Sequence, residues 1–253
     1  MRTTGLPMST VQKIEALLAK QPGNVDIYIL NLFNGKLARW TRYYTFLEII
    51  LRRYQEASEA FCDSAERGRN ARLNDPVGSG ELDADRLRAF EHEEQLALAV
   101  HLETESFYLF AKILLDQAAG TCGFYFSDRP KWSHKQLTDA FPNVCSKRSL
   151  NMTPKCLYQM MIDLEKEVIK FRNERVQHAY DPRMRHGTVW GAKGARISTH
   201  LLYPSSHEEA LAYTKASGNL VDVFGQIDEY LSAMLDFFAA NSAQSRLRGH
   251  VGF

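Results

Sequence analysis

The sequence has no run of about 18 apolar residues, which argues against a membrane-spanning helix. Its opening residues, MRTTGLPMSTVQK, hold no apolar core of signal-peptide length, so a cytoplasmic chain is expected. Cysteine is scarce, with Cys62, Cys122, Cys145 and Cys156 widely separated and no CxxC pair among them. That spacing fits neither a disulfide framework nor a zinc site, and reduced thiols are expected. An excess of either charge is missing too. The 31 basic and 30 acidic residues leave +1, unlike a general nucleic-acid coat protein, which is basic throughout.

The common chemical motifs are also missing. There is no GxGxxG and no GxxxxGK[ST], so neither a dinucleotide fold nor a P-loop is supported. HExxH does not occur. Glu91, His92, Glu93 and Glu94 are consecutive and point different ways on a helix, while Glu208 and Glu209 follow His207 in the reverse of the order a di-metal bundle needs. No metal and no cofactor are expected. No fixed-period repeat appears, so a solenoid is unsupported.

What is present is a soluble, globular composition, 45% apolar and 24% charged, with helical periodicity over most of its length. Ser9 and Gln12 have capping-box spacing ahead of a first helix that should stop near Pro22-Gly23. A long helix is expected from about Lys36 to Leu73, with Leu37, Trp40, Tyr44, Leu47, Leu51 and Tyr54 as its core stripe. NDPVGSGE reads as a loop. After it comes a second long helix, or a kinked pair, that Gly120 and Gly123 should terminate. FSDRPKWSHKQLTDAF reads as a loop and a short helix. Thr153 and Pro154 are expected as the N-cap and first turn of a third long helix, which Pro182 ends. Glycine and β-branched residues at 183–204 suggest a short hairpin or extended arm, and Ser205 or Ser206 should open a last helix. The expected fold is all-α: a bundle of long antiparallel helices with one irregular insertion near 183–204. Its expected segments are an N-terminal helical part (1–80), a helical core (81–241) and a flexible tail (242–253).

The stretch FRNERVQHAYDP (171–182) falls at the end of the third long helix and contains Arg172, Asn173, His178 and Tyr180. Arginine and histidine separated by four to six intervening residues is a weak pattern by itself: about two matches are expected by composition, and three occur, at Arg86/His92, Arg129/His134 and Arg172/His178. Context distinguishes the third. Between Lys147 and Arg196 there are 11 basic and 5 acidic residues, 11 − 5 = +6 in an otherwise neutral chain, a local charge suited to phosphate. On an ideal helix Arg172 and His178 lie about 120° apart, so a cleft between two C2-related protomers is the natural way to unite them. Other placements remain open: an ion pair of Arg172 with Glu167 or Glu174, His178 and Tyr180 capping a helix end, and Glu103 and Glu105 facing solvent. Phe107, Tyr108 and Phe110 are expected in the core. His134 is expected at a helix start or in a loop, with the lining of a cleft as the alternative.

RNERVQHAY resembles the signature of the HEPN superfamily: arginine, a following polar residue, and histidine after four to six positions. The upstream LETESFYLFAKILLDQ resembles the acidic, aromatic helix beside the motif helix in that superfamily, with a weaker match in WSHKQL. The likeness covers roughly residues 90–180 and leaves the first 80 residues and the 183–204 arm unexplained. It implies a HEPN-like core and a metal-independent endoribonuclease acting as a homodimer, often a toxin or antiviral effector. His178 would then be the general acid or base and Arg172 the phosphate anchor. Asn173 would orient a phosphate oxygen or the imidazole, and Glu103 or Glu105 would fix Arg172 or His178. RNA is the implied partner, with Arg175, Arg183, Arg185, Lys193 and Arg196 as candidate backbone contacts. An antitoxin or regulatory protein is implied as well, because in one toxin group paired with a nucleotidyltransferase antitoxin the motif continues His-x-Tyr, as at Tyr180. The alternative is a non-catalytic HEPN-like module that binds RNA, a nucleotide or a protein, or a helical scaffold.

Overall fold

The computed structural model describes residues 8–19, 26–73, 84–126, 132–170, 184–191, 194–201 and 220–247. These form an all-α helical bundle fold with helices α1 (Met8–Ala19), α2 (Ile27–Leu73), α3 (Ala84–Phe126), α4 (His134–Lys147), α5 (Leu157–Leu164) and α6 (Leu220–Ala240). A π-helical turn, Glu165–Lys170, follows α5 directly. Strands β1 (Met184–Gly191) and β2 (Gly194–Leu201) pair antiparallel, from Met184 opposite Leu201 to Gly191 opposite Gly194. Among the described residues no helix is long and apolar enough to cross a membrane.

The chain divides into two compact units, residues 1–48, 108–173 and 221–253 in one and 49–107 with 174–220 in the other. The expected segments 1–80 and 81–241 cut across these units, because α2 and α3 each contribute to both.

The first unit holds the larger described core. Helix α2 buries Phe33, Leu37, Trp40, Tyr44 and Leu47 at alternating four- and three-residue steps, the stripe that an amphipathic helix turns inward. It begins nine residues before the expected Lys36. Asp26 accounts for this, since its Oδ1 accepts from the N–H groups of Tyr28 at 2.8 Å and Ile29 at 3.3 Å and so caps the first turn. Helix α1 starts at Met8, which puts Ser9 inside the helix rather than at its cap.

Helix α3 runs through Gly120 and Gly123 to Phe126, where an end had been expected at the glycines. Each helical glycine costs about 1 kcal/mol against alanine. Burial of Cys122, Phe124, Tyr125 and Phe126 outweighs that cost, as does the 3.0 Å bond from Trp40 Nε1–H to Thr121 Oγ1. Tyr125 and Phe238 of α6 stack with centroids 4.8 Å apart, and Phe126 meets Phe237 edge-on at 5.2 Å.

Thr153 does not cap α5. The Thr153-Pro154 peptide is cis, and Thr153 Oγ1–H donates instead to Asn151 Oδ1 at 2.8 Å. The helix starts three residues after Pro154, with Cys156 at the cap position and no side-chain bond to it. The long third helix expected from Pro154 is α in its described part only to Leu164, then π to Lys170. The expected opening of the last helix at Ser205 or Ser206 lies outside the described residues.

The tail expected from residue 242 is packed over its described part. Ser242–Gln244 form a 3₁₀ turn, the Arg246 N–H donates to the Tyr125 carbonyl at 2.9 Å, and Leu247 is fully buried. One apolar anchor and one main-chain bond suffice to hold so short a segment.

In the second unit, α2 buries Ile50, Phe61 and Ala65, and α3 buries Val100 and Phe107. Leu51 and Tyr54, expected in the core stripe, are half-buried.

Candidate functional site

Arg172, Asn173, Arg175, His178, Tyr180, Arg183 and Lys193 lie outside the described residues. Of the remaining basic candidates, Arg185 stands opposite His200 and Arg196 opposite Val189 in the β1–β2 ladder. Glu103 is not a solvent-facing charge. It is 5% exposed, and its Oε1 is 2.7 Å from Arg53 Nη2. The guanidinium offsets the cost of taking that carboxylate out of water. Glu105 Oε1 is 3.1 Å from His101 Nε2, one helical turn earlier. Phe107 and Tyr108 are core residues, while Phe110 is half-buried and packs on Phe46 at 5.4 Å and on Tyr43 at 6.3 Å.

Polar side chains of the first unit gather around His134. Ser133 and Gln136 form a capping box: Gln136 N–H donates to Ser133 Oγ at 3.3 Å, and Ser133 N–H donates to Gln136 Oε1 at 3.0 Å. This fixes His134 as the first residue of α4. Its main-chain N–H donates to Asp116 Oδ1 at 3.0 Å, and the other oxygen of Asp116 pairs with Lys112. The imidazole is fully buried. Its Nδ1 lies 3.3 Å from Glu165 Oε2, and its ring meets Tyr230 edge-on with centroids 5.5 Å apart.

Among the described residues two polar atoms of this cluster have no partner, His134 Nε2 and Tyr230 Oη. A buried polar group left unpaired costs about 1–3 kcal/mol, so two at one place mark a polar centre rather than ordinary packing. Nδ1 faces the Glu165 carboxylate, and the Tyr230 hydroxyl supplies an uncommitted donor. Burial, with Cys122 nearby, pushes the Tyr230 phenol well above its usual range, so the hydroxyl keeps its proton. Such a ring can hold a carboxylate or pass a proton between protein groups. Full burial keeps it from bulk solvent, and the group it acts on is Glu165.

A second perturbed pair joins α2 to α6 within the same unit. Tyr44 O–H is 3.5 Å from Asp228 Oδ1, and burial raises the pKa of both groups. Burial also pushes the Cys145 thiol up to about 11 and the Cys122 thiol higher still. Among the described residues no group of three or more histidine, cysteine or carboxylate side chains is placed to hold a metal ion.

Sequence reasoning placed His134 at a helix start or in a loop and missed Glu165, Asp116 and Tyr230 as its surroundings. The one local signal was the Ser133/Gln136 capping box, which places His134 in the first turn. Its three neighbours come from 18 residues before it, 31 after it and a distant helix, a convergence no local pattern encodes. No family model, curated protein or solved structure matches this chain.

Proposed function

We propose that this chain is a metal-independent endoribonuclease of the HEPN type, acting on RNA as a homodimer and serving as a toxin or antiviral defence effector. The observation that carries the reading is RNERVQHAY at 172–180, a motif lying within a modestly basic stretch, Lys147 to Arg196, of a near-neutral chain. Two features support it: the all-α bundle, and the unbroken α3, which carries the acidic and aromatic residues 102–117 on one helix.

In this reading two protomers each contribute Arg172 and His178 to one cleft. His178 takes the proton of an RNA 2′-hydroxyl, and the 2′-oxygen attacks the adjacent phosphorus. Arg172 holds the phosphate oxygens by bidentate hydrogen bonds and stabilises the charge that builds on them. The bond to the 5′-oxygen breaks, and that oxygen takes up a proton from the second imidazole. The products are a 2′,3′-cyclic phosphate and a 5′-hydroxyl. Asn173 orients the phosphate or the imidazole, and Tyr180 flanks the site. Arg175, Arg183, Arg185, Lys193 and Arg196 contact the RNA backbone. Glu103 enters only by way of Arg53, because that guanidinium already occupies one of its oxygens.

The test is cleavage of mixed RNA with chelator present, by wild type, His178→Ala and Arg172→Ala. Wild type should leave 2′,3′-cyclic ends, and each variant should be slower by roughly 100-fold or more while melting like wild type. No cleavage by folded wild type would replace the enzyme with a non-catalytic module of HEPN type that binds RNA, a nucleotide or a protein.

A further inference from the structure

Between Ile27 and Leu47, helix α2 carries Lys36, Arg39 and Arg42 and no acidic residue. Lys36 and Arg39 are three residues apart, so they are neighbours on the helix surface and repel each other. Among the described residues neither has a carboxylate partner. Lys36 is half-buried, and burial holds its pKa below the usual lysine range, with the Arg39 charge lowering it further. A desolvated lysine beside a second cation is a place that an anion stabilises.

A third cation comes from the C-terminal segment. Lys36 Nζ lies 5.2 Å from the centroid of the Phe124 ring, and Arg246 Cζ lies 5.3 Å from the same centroid. Both are cation–π distances. Phe124 is buried near the end of α3, and Arg246 is held there by its N–H bond to the Tyr125 carbonyl and by buried Leu247. One ring thus steadies two long side chains, which reduces the ordering a ligand must impose on them.

Gly35 leaves room beside these groups. It is exposed inside a helix, where glycine costs stability relative to alanine. Packing does not demand it, since a Cβ built there would meet no atom within 4 Å. The open surface lies one residue before Lys36 and about one helical turn before Arg39.

The charges select the ligand. One carboxylate would balance one cation, whereas an ammonium and two guanidinium groups meet the several oxygens and higher charge of a phosphate. We propose that Lys36, Arg39 and Arg246 form a phosphate-binding site beside Phe124. The phosphate belongs to the backbone of single-stranded RNA or to a free phosphorylated molecule, and the site stands without the Arg172/His178 reading.

The experiment compares full-length wild type with Lys36→Gln, Arg39→Gln, Arg246→Gln and Gly35→Glu, and with Lys135→Gln as a control that removes a lysine from α4. Gly35→Glu keeps every cation and sets a carboxylate four residues before Arg39, the favourable order for a helical ion pair, so it should melt at or above the wild-type temperature. Two probes are read at matched ionic strength. Fluorescence anisotropy follows a labelled single strand of 2′-O-methyl RNA, which lacks the 2′-hydroxyl nucleophile. The rise of Tm with inorganic phosphate, against chloride, gives the second apparent Kd.

Each of the four site variants is expected to weaken at least one probe about fivefold or more, with Lys135→Gln unchanged. Loss confined to RNA, with a salt slope lower by about 1 per cation removed, assigns the site to the RNA backbone. Loss confined to inorganic phosphate assigns it to a free phosphorylated molecule, and loss of both supports a site open to either. Wild-type binding of both probes by any of the four variants overturns the site, as does equal weakening by Lys135→Gln. Wild type that binds neither probe overturns it outright.

Discussion

The side chain of Asn241 grips the main chain of Asn151 at two points. Its Oδ1 accepts the Asn151 N–H at 2.6 Å, and its Nδ2 donates to the Asn151 carbonyl at 2.8 Å. A further Nδ2 bond, to the Phe237 carbonyl at 2.9 Å, ties the same amide to the last turn of α6. The turn after α4 and the end of α6 are thus joined through one buried side chain. Replacing it with alanine removes all three bonds and leaves a cavity. We expect Asn241→Ala to destabilise the protein by about 2–3 kcal/mol, lowering Tm by roughly 5–10 °C. Thermal unfolding of the variant measures this, and a change under 1 °C would mean the clamp is dispensable.

Arg53 and Glu103 differ sharply in exposure, 60% against 7% for their side chains. Arg53→Ala should therefore cost more than an exposed ion pair is worth, because it strands a buried carboxylate. Solvent access to the guanidinium limits the loss to about 1–2 kcal/mol. Arg53→Ala/Glu103→Gln should be more stable than the sum of the single changes predicts, since the amide no longer carries the stranded charge. Denaturant melts of the three variants decide it, and additive losses would mean the two groups are not coupled.

Burial raises the pKa of Asp228 from 3.8, an effect that the Tyr44 hydroxyl only partly offsets. A carboxyl that holds its proton more tightly when folded favours the folded state at low pH. Stability is then lost as pH rises from the unfolded value through the folded one. Asp228→Asn removes this penalty. It should raise Tm at pH 7 by roughly 1–3 °C, with the gain shrinking to nothing near pH 3. A lower Tm at pH 7 would show that the ionised carboxylate is a net stabiliser.

The thiols should divide by environment. Cys156 is exposed, whereas Cys122 and Cys145 are buried with their pKa values pushed up, Cys145 to about 11. Because the thiolate is the reactive form, iodoacetamide at pH 8 should label Cys156 in the native protein and leave Cys122 and Cys145 untouched until denaturant is added. Peptide mapping reads the result, and native labelling of Cys122 would contradict the packing around it.

The residues of α2 and α3 show what was legible and what was not. The 3.6-residue period announced the buried faces of Leu37, Trp40, Tyr44 and Leu47, because an amphipathic stripe is a local property of the chain. Gly120 and Gly123 misled because their helix-breaking tendency is worth about 1 kcal/mol each, less than the packing of the aromatic residues that follow. Leu247 misled in the opposite sense, since a short polar tail around one leucine gives no sign of a pocket to receive it.

By itself, then, the sequence determined the helical class, the inward faces of the long helices and the motif at 172–180. Each is a pattern of neighbours along the chain. Tertiary structure alone decided that Glu103 is buried against Arg53, that Asn241 clamps Asn151, and that His134 meets Glu165 where the helix passes from α to π. These contacts join residues between 31 and 90 positions apart. Their energies depend on desolvation and close approach, which exist only after the helices have packed.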